Sequence, residues 1–323
     1  MYGRANYSNG FKNGVNIRGV PVEIPHPGEV FWVNGSSVLA KRGIGGSNSN
    51  DGSYHKPFST IDYAVGKCTA SRGDVIYVMP GHTETISGAA TLDLDVAGIT
   101  IIGLGTGTLQ PRLDFTATGS TVEVNADNIS IYNMNFHANI SAVVIGLSVL
   151  TLATDLIVSG CKFDVEATTT DEFVIAINFG VGCDRFLVEN CEMDMGLGGA
   201  ATGIKLVGAT AGGTIRGNRI VGDYSQACIA GITTLSTEIY IEENMLINGA
   251  SGNVGALEVI EMLTGTTGVV RRNTWLCNVG SIVLESVADT MYFSENYAGE
   301  DVGAAASSVL RSGAASVTAS ADD

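Results

Sequence analysis

Short runs of β-branched and aromatic residues recur along this chain, each alternating apolar and polar positions and each ending at Gly, Asn or a charged residue. A three-residue anchor marks them: Ile101-Ile102-Gly103, Ile131-Tyr132-Asn133, Val158-Ser159-Gly160, Val188-Glu189-Asn190, Ile215-Arg216-Gly217, Ile241-Glu242-Glu243, Val270-Arg271-Arg272 and Phe293-Ser294-Glu295. Successive anchors stand 30, 27, 30, 27, 26, 29 and 23 residues apart. A repeat of that length, built from strand-forming runs and turn residues, predicts a solenoid, in which each unit buries its apolar face only against its neighbours. Two positions before each anchor, Ile99, Ile129, Leu156, Phe186, Gly213, Ile239, Gly268 and Met291 share the anchor's face. Five positions after it, Thr106, Phe136, Phe163, Met193, Ile220, Leu246, Trp275 and Ala298 are read as the first inward residue of the next strand. Gly213 and Gly268 stand where a large apolar residue is expected, which leaves packing there open.

The column three residues after the anchor is the most specific signal. It reads Leu104, Met134, Cys161, Cys191, Asn218, Asn244, Asn273, Asn296. Identical amides about 4.8 Å apart on parallel strands can hydrogen-bond to one another, so the four Asn predict a structural ladder. The pattern as a whole predicts an all-β, right-handed parallel β-helix.

Two outward columns refine this expectation. The position after the anchor carries Glu189, Arg216, Glu242 and Arg271, which alternate in sign and would pair between coils. The position before it carries Ile157, Leu187, Tyr240, Val269 and Tyr292, an apolar stripe pointing away from the core. A contiguous stripe of that kind calls for cover, and a homotrimer is the preferred explanation, with covering loops as the alternative.

Outside the repeat the pattern changes. Residues 1–38 read as an N-terminal arm, with turn signals at Ser8-Asn9-Gly10 and Lys12-Asn13-Gly14, prolines at 21, 25 and 27, and a strand at Val30-Phe31-Trp32-Val33. Residues 39–73 hold a polar loop and a short capping helix, with Ser59 as the expected N-cap and Ile61, Ala64, Val65 and Cys68 on one apolar face. The solenoid is expected over 74–302. Residues 303–323 are Ala-, Ser- and Gly-rich, too small-sided to build another coil.

Composition excludes several functions. A net charge of -16 without any Lys or Arg run argues against nucleic-acid binding. The arm alone has a positive balance, through Arg4, Lys12 and Arg18, and with Phe31 and Trp32 these are the candidate docking residues for a larger particle. Six Cys without a C-x-x-C predict free core thiols and no zinc site; Cys161 and Cys191 are expected to be stacked neighbours in poor geometry for a bridge. No secretory signal is expected from the first residues. The uncharged stretch from Ala138 to Thr154 is expected to be coil strands, being too short for a membrane span.

The sequence offers carboxylate pairs, Asp164 with Glu166, Glu192 with Asp194, and Glu258 with Glu261, together with Glu285. All are read as solvated or loop positions. Aromatics are 7%, and the four His (His26, His55, His82, His137) are read as preceding the main repeat. No catalytic residue, metal or cofactor is therefore expected, and no enzymatic activity.

The order Asp51-Gly52-Ser53, Pro57-Phe58-Ser59-Thr60-Ile61, Ala64, Gly73-Asp74-Val75-Ile76-Tyr77-Val78 and Pro80-Gly81 resembles the opening signature of pectate-lyase-like β-helix proteins, over roughly residues 45–300. The opening Tyr7-Ser8-Asn9-Gly10-Phe11-Lys12-Asn13-Gly14, with Arg18-Gly19, His26-Pro27-Gly28 and Phe31-Trp32-Val33, is similar to short β-helix proteins of tailed bacteriophages. That resemblance implies a homotrimeric capsid-decorating (cement) protein on the virion exterior, assembled in the host cytoplasm and bound to the major capsid protein or another virion protein. The alternative is a tailspike-like protein that binds or depolymerises a host glycan.

Overall fold

The computed structural model describes residues 15–17, 20–22, 28–35, 44–89, 91–166, 171–196, 199–249, 258–277, 283–286 and 290–300. Arg4, Lys12, Arg18 and the tail 303–323 lie outside the described residues.

The repeat winds into a parallel β-solenoid. Among the described residues its three sheets contain ten, nine and eight strands, and each strand hydrogen-bonds to the equivalent strand one coil away. The anchors form one rung-to-rung column of the first sheet, running Ile76, Ile101, Ile131, Val158, Val188, Ile215, Ile241, Val270 and Phe293 in register. The register follows from burial: a slip of one residue would turn every anchor to water.

The second sheet aligns Leu113, Phe136, Phe163, Met193, Ile220, Leu246, Trp275 and Ala298. Leu113 occupies the place assigned to Thr106 on sequence. A 3-10 turn at Gly107–Leu109 lengthens that corner, and the strand Arg112–Phe115 starts later. The third sheet, running from Leu92–Leu94 to Val283–Ser286, comes from segments that the anchor period does not mark. The uncharged stretch from Ala138 is the end of the second-sheet strand Asn135–Ala138 and the third-sheet strand Val143–Val149. Among the described residues, no helix is long and apolar enough to cross a membrane.

Core aromatics stack along the axis. Phe136 lies 4.5 Å from Phe163 with rings nearly parallel, and Phe179 lies 4.0 Å from Phe186. Each such buried ring contributes roughly 1.5–3 kcal/mol by leaving water. Phe186 also explains Gly213: a Cβ there would sit 2.3 Å from its ring, so the ring fills the space that the glycine leaves. Near the far end, Trp275 is fully buried.

The Asn column is continuous. Asn218 Nδ2 donates to Asn244 Oδ1, Asn244 Nδ2 to Asn273 Oδ1, and Asn273 Nδ2 to Asn296 Oδ1, each at 3.0 Å. Every Nδ2 also donates to a backbone carbonyl one coil back: Val188, Ile215, Ile241 and Val270, each at 2.9 Å. The backbone N–H of each of Cys191, Asn218, Asn244 and Asn273 donates to the Oδ1 of the Asn one coil onward.

Two boundaries differ from the sequence reading. Val30–Val33, placed in the arm, pairs in parallel with Val75–Val78 and is the edge strand of the first sheet. Its alternation drives Phe31 and Val33 into the core. The helix is Ile61–Val65, capped by Thr60, whose hydroxyl accepts from the Tyr63 N–H at 3.4 Å; Ser59 instead donates to Asn48 Oδ1. Ile61, Ala64 and Val65 close the end of the core. Cys68, Cys161, Cys183, Cys191 and Cys228 are free thiols. Burial pushes the Cys183 thiol up to about 11 and Cys68 to about 12, which makes them poor nucleophiles.

Candidate active site on the second sheet

Side chains alternate across the second sheet, so the residues between the inward Leu113, Phe136, Phe163, Met193 and Ile220 face outward. They bring Arg112 and Asp114, Asn135 and His137, Lys162 and Asp164, Glu192 and Asp194, and Arg219 onto one face of five consecutive strands. The rungs are spaced about 4.8 Å apart, which places every side chain within reach of the next coil.

His137 is the centre of this face. Its Nδ1 lies 2.6 Å from Asp164 Oδ1 and its Nε2 lies 3.0 Å from Glu166 Oε2. Both ring nitrogens thus meet carboxylates of the following coil. Asp164 Oδ2 accepts from Lys162 Nζ at 2.8 Å and from Asn135 Nδ2 at 3.3 Å. One strand earlier, Arg112 Nε is 2.7 Å from Asp114 Oδ1. One strand later, Arg219 Nη1 lies 3.3 Å from Glu192 and 3.8 Å from Asp194. Exposure is graded: the His137 side chain is 7% exposed, Asp164 19% and Glu166 50%.

The electrostatics follow from these contacts. The hydrogen bond to Asp164 raises the His137 pKa above its ordinary value; burial opposes the rise and Glu166 adds to it. Burial pushes Asp164 up, but hydrogen bonds from His137 and Lys162 outweigh it and hold the carboxyl below the usual carboxylate range. Lys162 is raised in turn by Asp164. On the same coil as Glu166, burial followed by the charge of Asp171 pushes the Glu172 carboxyl up. Asp164 fixes the imidazole ring, and Nε2 faces the solvent-accessible Glu166, a geometry in which protons can be passed.

The structure corrects the histidine reading. His137 lies within the solenoid, on the strand Asn135–Ala138, and so does not precede the repeat. Its partners are 27 and 29 residues away in sequence, a separation close to one coil. That coil length was the signal available in the sequence, had it been applied to outward positions. Of the other carboxylates singled out, Glu261 accepts from Gln226 Nε2 at 3.0 Å on the third sheet, away from this cluster. Glu258 and Glu285 lie in third-sheet strands; their side chains are outside what is described.

The first sheet presents the remaining predicted residues. Ile157, Leu187, Tyr240, Val269 and Tyr292 share its outward face, where Thr214 interrupts them; Tyr240 is 39% and Tyr292 79% exposed. In the neighbouring column, Arg216 pairs with Glu189 at 2.7 Å and Arg271 with Glu242 at 2.9 Å. Phe31 is buried and cannot serve as a docking residue, because it caps the core beside Phe58. Trp32 does face outward, its ring 4.9 Å from Tyr77 and tilted to it, with Tyr54 edge-on at 5.0 Å.

A scan against protein-family models finds none that matches, and no curated protein matches the sequence. Solved structures do match. A rhamnogalacturonan lyase superposes with a TM-score of 0.59 at 15% identity, covering 80% of this chain and 73% of its own. A pectin methylesterase from Aspergillus niger, in deglycosylated form, gives a TM-score of 0.47 at 19% identity over 80% of this chain and 89% of its own. At such identities the likeness concerns the fold alone, a pectate-lyase-like parallel β-helix. Neither is a virion protein, and the virion-decoration reading gains no support from them. The expectation that the chain is no enzyme is overturned: this fold neighbour is described as a lyase, and the outer face of the second sheet carries the clustered His and carboxylates that the sequence reading had discounted.

Proposed function

We propose that the protein binds and cleaves a polysaccharide along the outer face of its second sheet, with His137 as the proton-transferring group. The observation that carries this reading is the imidazole held between Asp164 and Glu166, on an open face flanked by Arg112, Lys162 and Arg219. Flat sheet faces of this kind accommodate an extended polymer, whose successive sugars cross successive strands. Asp164 orients the ring, and Glu166, the most exposed of the three, meets the solvent and the substrate. The fold shared with a polysaccharide lyase supports the reading.

The test is incubation of the purified chain with a panel of plant, bacterial and algal polysaccharides, read by new reducing ends and by the absorbance of unsaturated uronates. Cleavage of at least one glycan is expected, lost by about a hundredfold or more in His137→Ala, the scale of one proton-transfer group. Full activity in both His137→Ala and Asp164→Asn would place the chemistry elsewhere.

A further inference from the structure

Every cation of the second-sheet face is already matched by a carboxylate of the same face. Arg112 is held by Asp114, Lys162 by Asp164, His137 by Asp164 and Glu166, and Arg219 by Glu192 and Asp194. The face therefore presents five carboxylates against three permanent cations and one histidine. Around it the whole chain carries a net charge of -16. A polymer of uronic acids would meet like charge over long range, and at close range it would have to displace an internal carboxylate from each cation it used.

From this we infer that the substrate is an uncharged glycan and that the bond is cut by hydrolysis, a conclusion that rests on the function proposed above. Elimination needs a carboxyl group on the sugar to acidify the adjacent C–H, and an uncharged glycan offers none. Hydrolysis needs a group that takes a proton from water and gives one to the bridging oxygen, and His137 with Glu166 can do both. The oxygen of a water forms a bond to the anomeric carbon while the bond from that carbon to the bridging oxygen breaks. The water loses one proton and the departing oxygen gains one; the His137–Glu166 pair, joined at 3.0 Å, carries that proton from the one to the other. No oxidant, reductant or metal enters the balance.

The inference separates this chain from the lyase that shares its fold, and it does so through charge pairing, which the fold does not determine. It also predicts how the preference would be changed. Glu192→Gln combined with Asp194→Asn removes both partners of Arg219 and leaves a free guanidinium at the edge of the face, away from His137.

The experiment uses the full chain with galactan, arabinan and xylan as uncharged probes, and polygalacturonate and alginate as polyuronates. New reducing ends without unsaturated products are expected from an uncharged probe, with neither polyuronate bound at low salt. The double variant is expected to gain polygalacturonate binding by about tenfold at low ionic strength, fading as salt screens the contact. Unsaturated ends released from either polyuronate by the wild-type chain would overturn the substrate assignment while leaving the proposed function intact. Failure to bind or cut any glycan would overturn both. Polygalacturonate binding unchanged in the double variant would refute the charge-pairing argument.

Discussion

Replacing Asn244 by Ala tests whether the amide column holds the distal solenoid together. Asn244 Oδ1 accepts from the backbone N–H of Asn218 at 2.9 Å and from its Nδ2 at 3.0 Å, while Asn244 Nδ2 donates to Ile215 O and Asn273 Oδ1. The substitution strands two donors on Asn218, at a site where Asn218, Asn244 and Asn273 are between 0% and 2% exposed. An unsatisfied buried donor costs about 1–3 kcal/mol, so the expected loss is roughly 2–6 kcal/mol. Asn273 Oδ1 keeps the Asn244 backbone N–H as a donor, which limits damage on that side. The same substitution at Asn296 also strands two donors, on Asn273, but at a half-buried rung where water can replace the amide; it should cost about 1 kcal/mol. Asn244→Asp should cost at least as much as Ala, since the carboxylate would face the Ile215 carbonyl and Asn273 Oδ1 with no proton to offer. Solenoids need not unfold in one step, so the local readout is hydrogen exchange at the Asn218 amide, complemented by the thermal midpoint. Protection there should fall roughly thirtyfold or more, the equivalent of about 2 kcal/mol. Unchanged exchange at Asn218, or equal effects of Asn244→Ala and Asn296→Ala, would refute the reasoning.

Other consequences can be measured independently. The His137 pKa is raised on folding, so its contribution to stability is complete below about pH 6.5 and is lost as pH rises through the higher folded value. The stability gap between wild type and His137→Gln in urea titrations should accordingly narrow from about pH 6 towards about pH 9; a gap that widens would contradict the pairing with Asp164. Gly268→Ala should destabilise by roughly 2–4 kcal/mol, because φ is +150° and a Cβ would stand 1.9 Å from the Ile239 carbonyl oxygen; a thermal midpoint equal to wild type would refute it. Arg216→Ala, at an exposed pair with Glu189, should change stability by about 1 kcal/mol or less and be insensitive above about 0.5 M salt. The outward stripe with Tyr240 and Tyr292 is expected to bring three copies together; light scattering should give three times 33.4 kDa, and a monomer at micromolar concentration would refute this.

What could be read in advance was set by burial. The anchors and the Asn column recur because each inward residue must fit the same residue one coil away, so the same few side chains return at each turn. The corners are free of that demand. Inserted turns such as Gly107–Leu109 therefore shifted Leu113 out of its expected place, and the third sheet escaped the period altogether. The candidate site was hidden for a related reason. His137, Asp164 and Glu166 are outward residues that occur once each, and the outward positions of the second sheet, unlike those of the first, carry no repeating pattern to expose them. Their meeting depends on coil length, which sequence does contain, and on side-chain direction, which only the register reveals. The capping helix was visible from its apolar face, but its N-cap moved by one residue because Ser59 spends its hydroxyl on Asn48.

The chain has two tryptophans, and the fold stations them near opposite ends of the solenoid. Trp32 lies half-buried on the outer surface of the first edge strand, against Tyr77, whereas Trp275 is sealed in the core of the distal coils, with an indole N–H that has no partner among the described residues. Their surroundings differ enough for their emission to be distinguished: one ring borders water and the other is shut away from it. Trp32→Phe and Trp275→Phe would each leave a single lamp, one lighting the proximal coils and the other the distal ones. Fluorescence during unfolding would then report which end of this quasi-one-dimensional molecule opens first, without any added label.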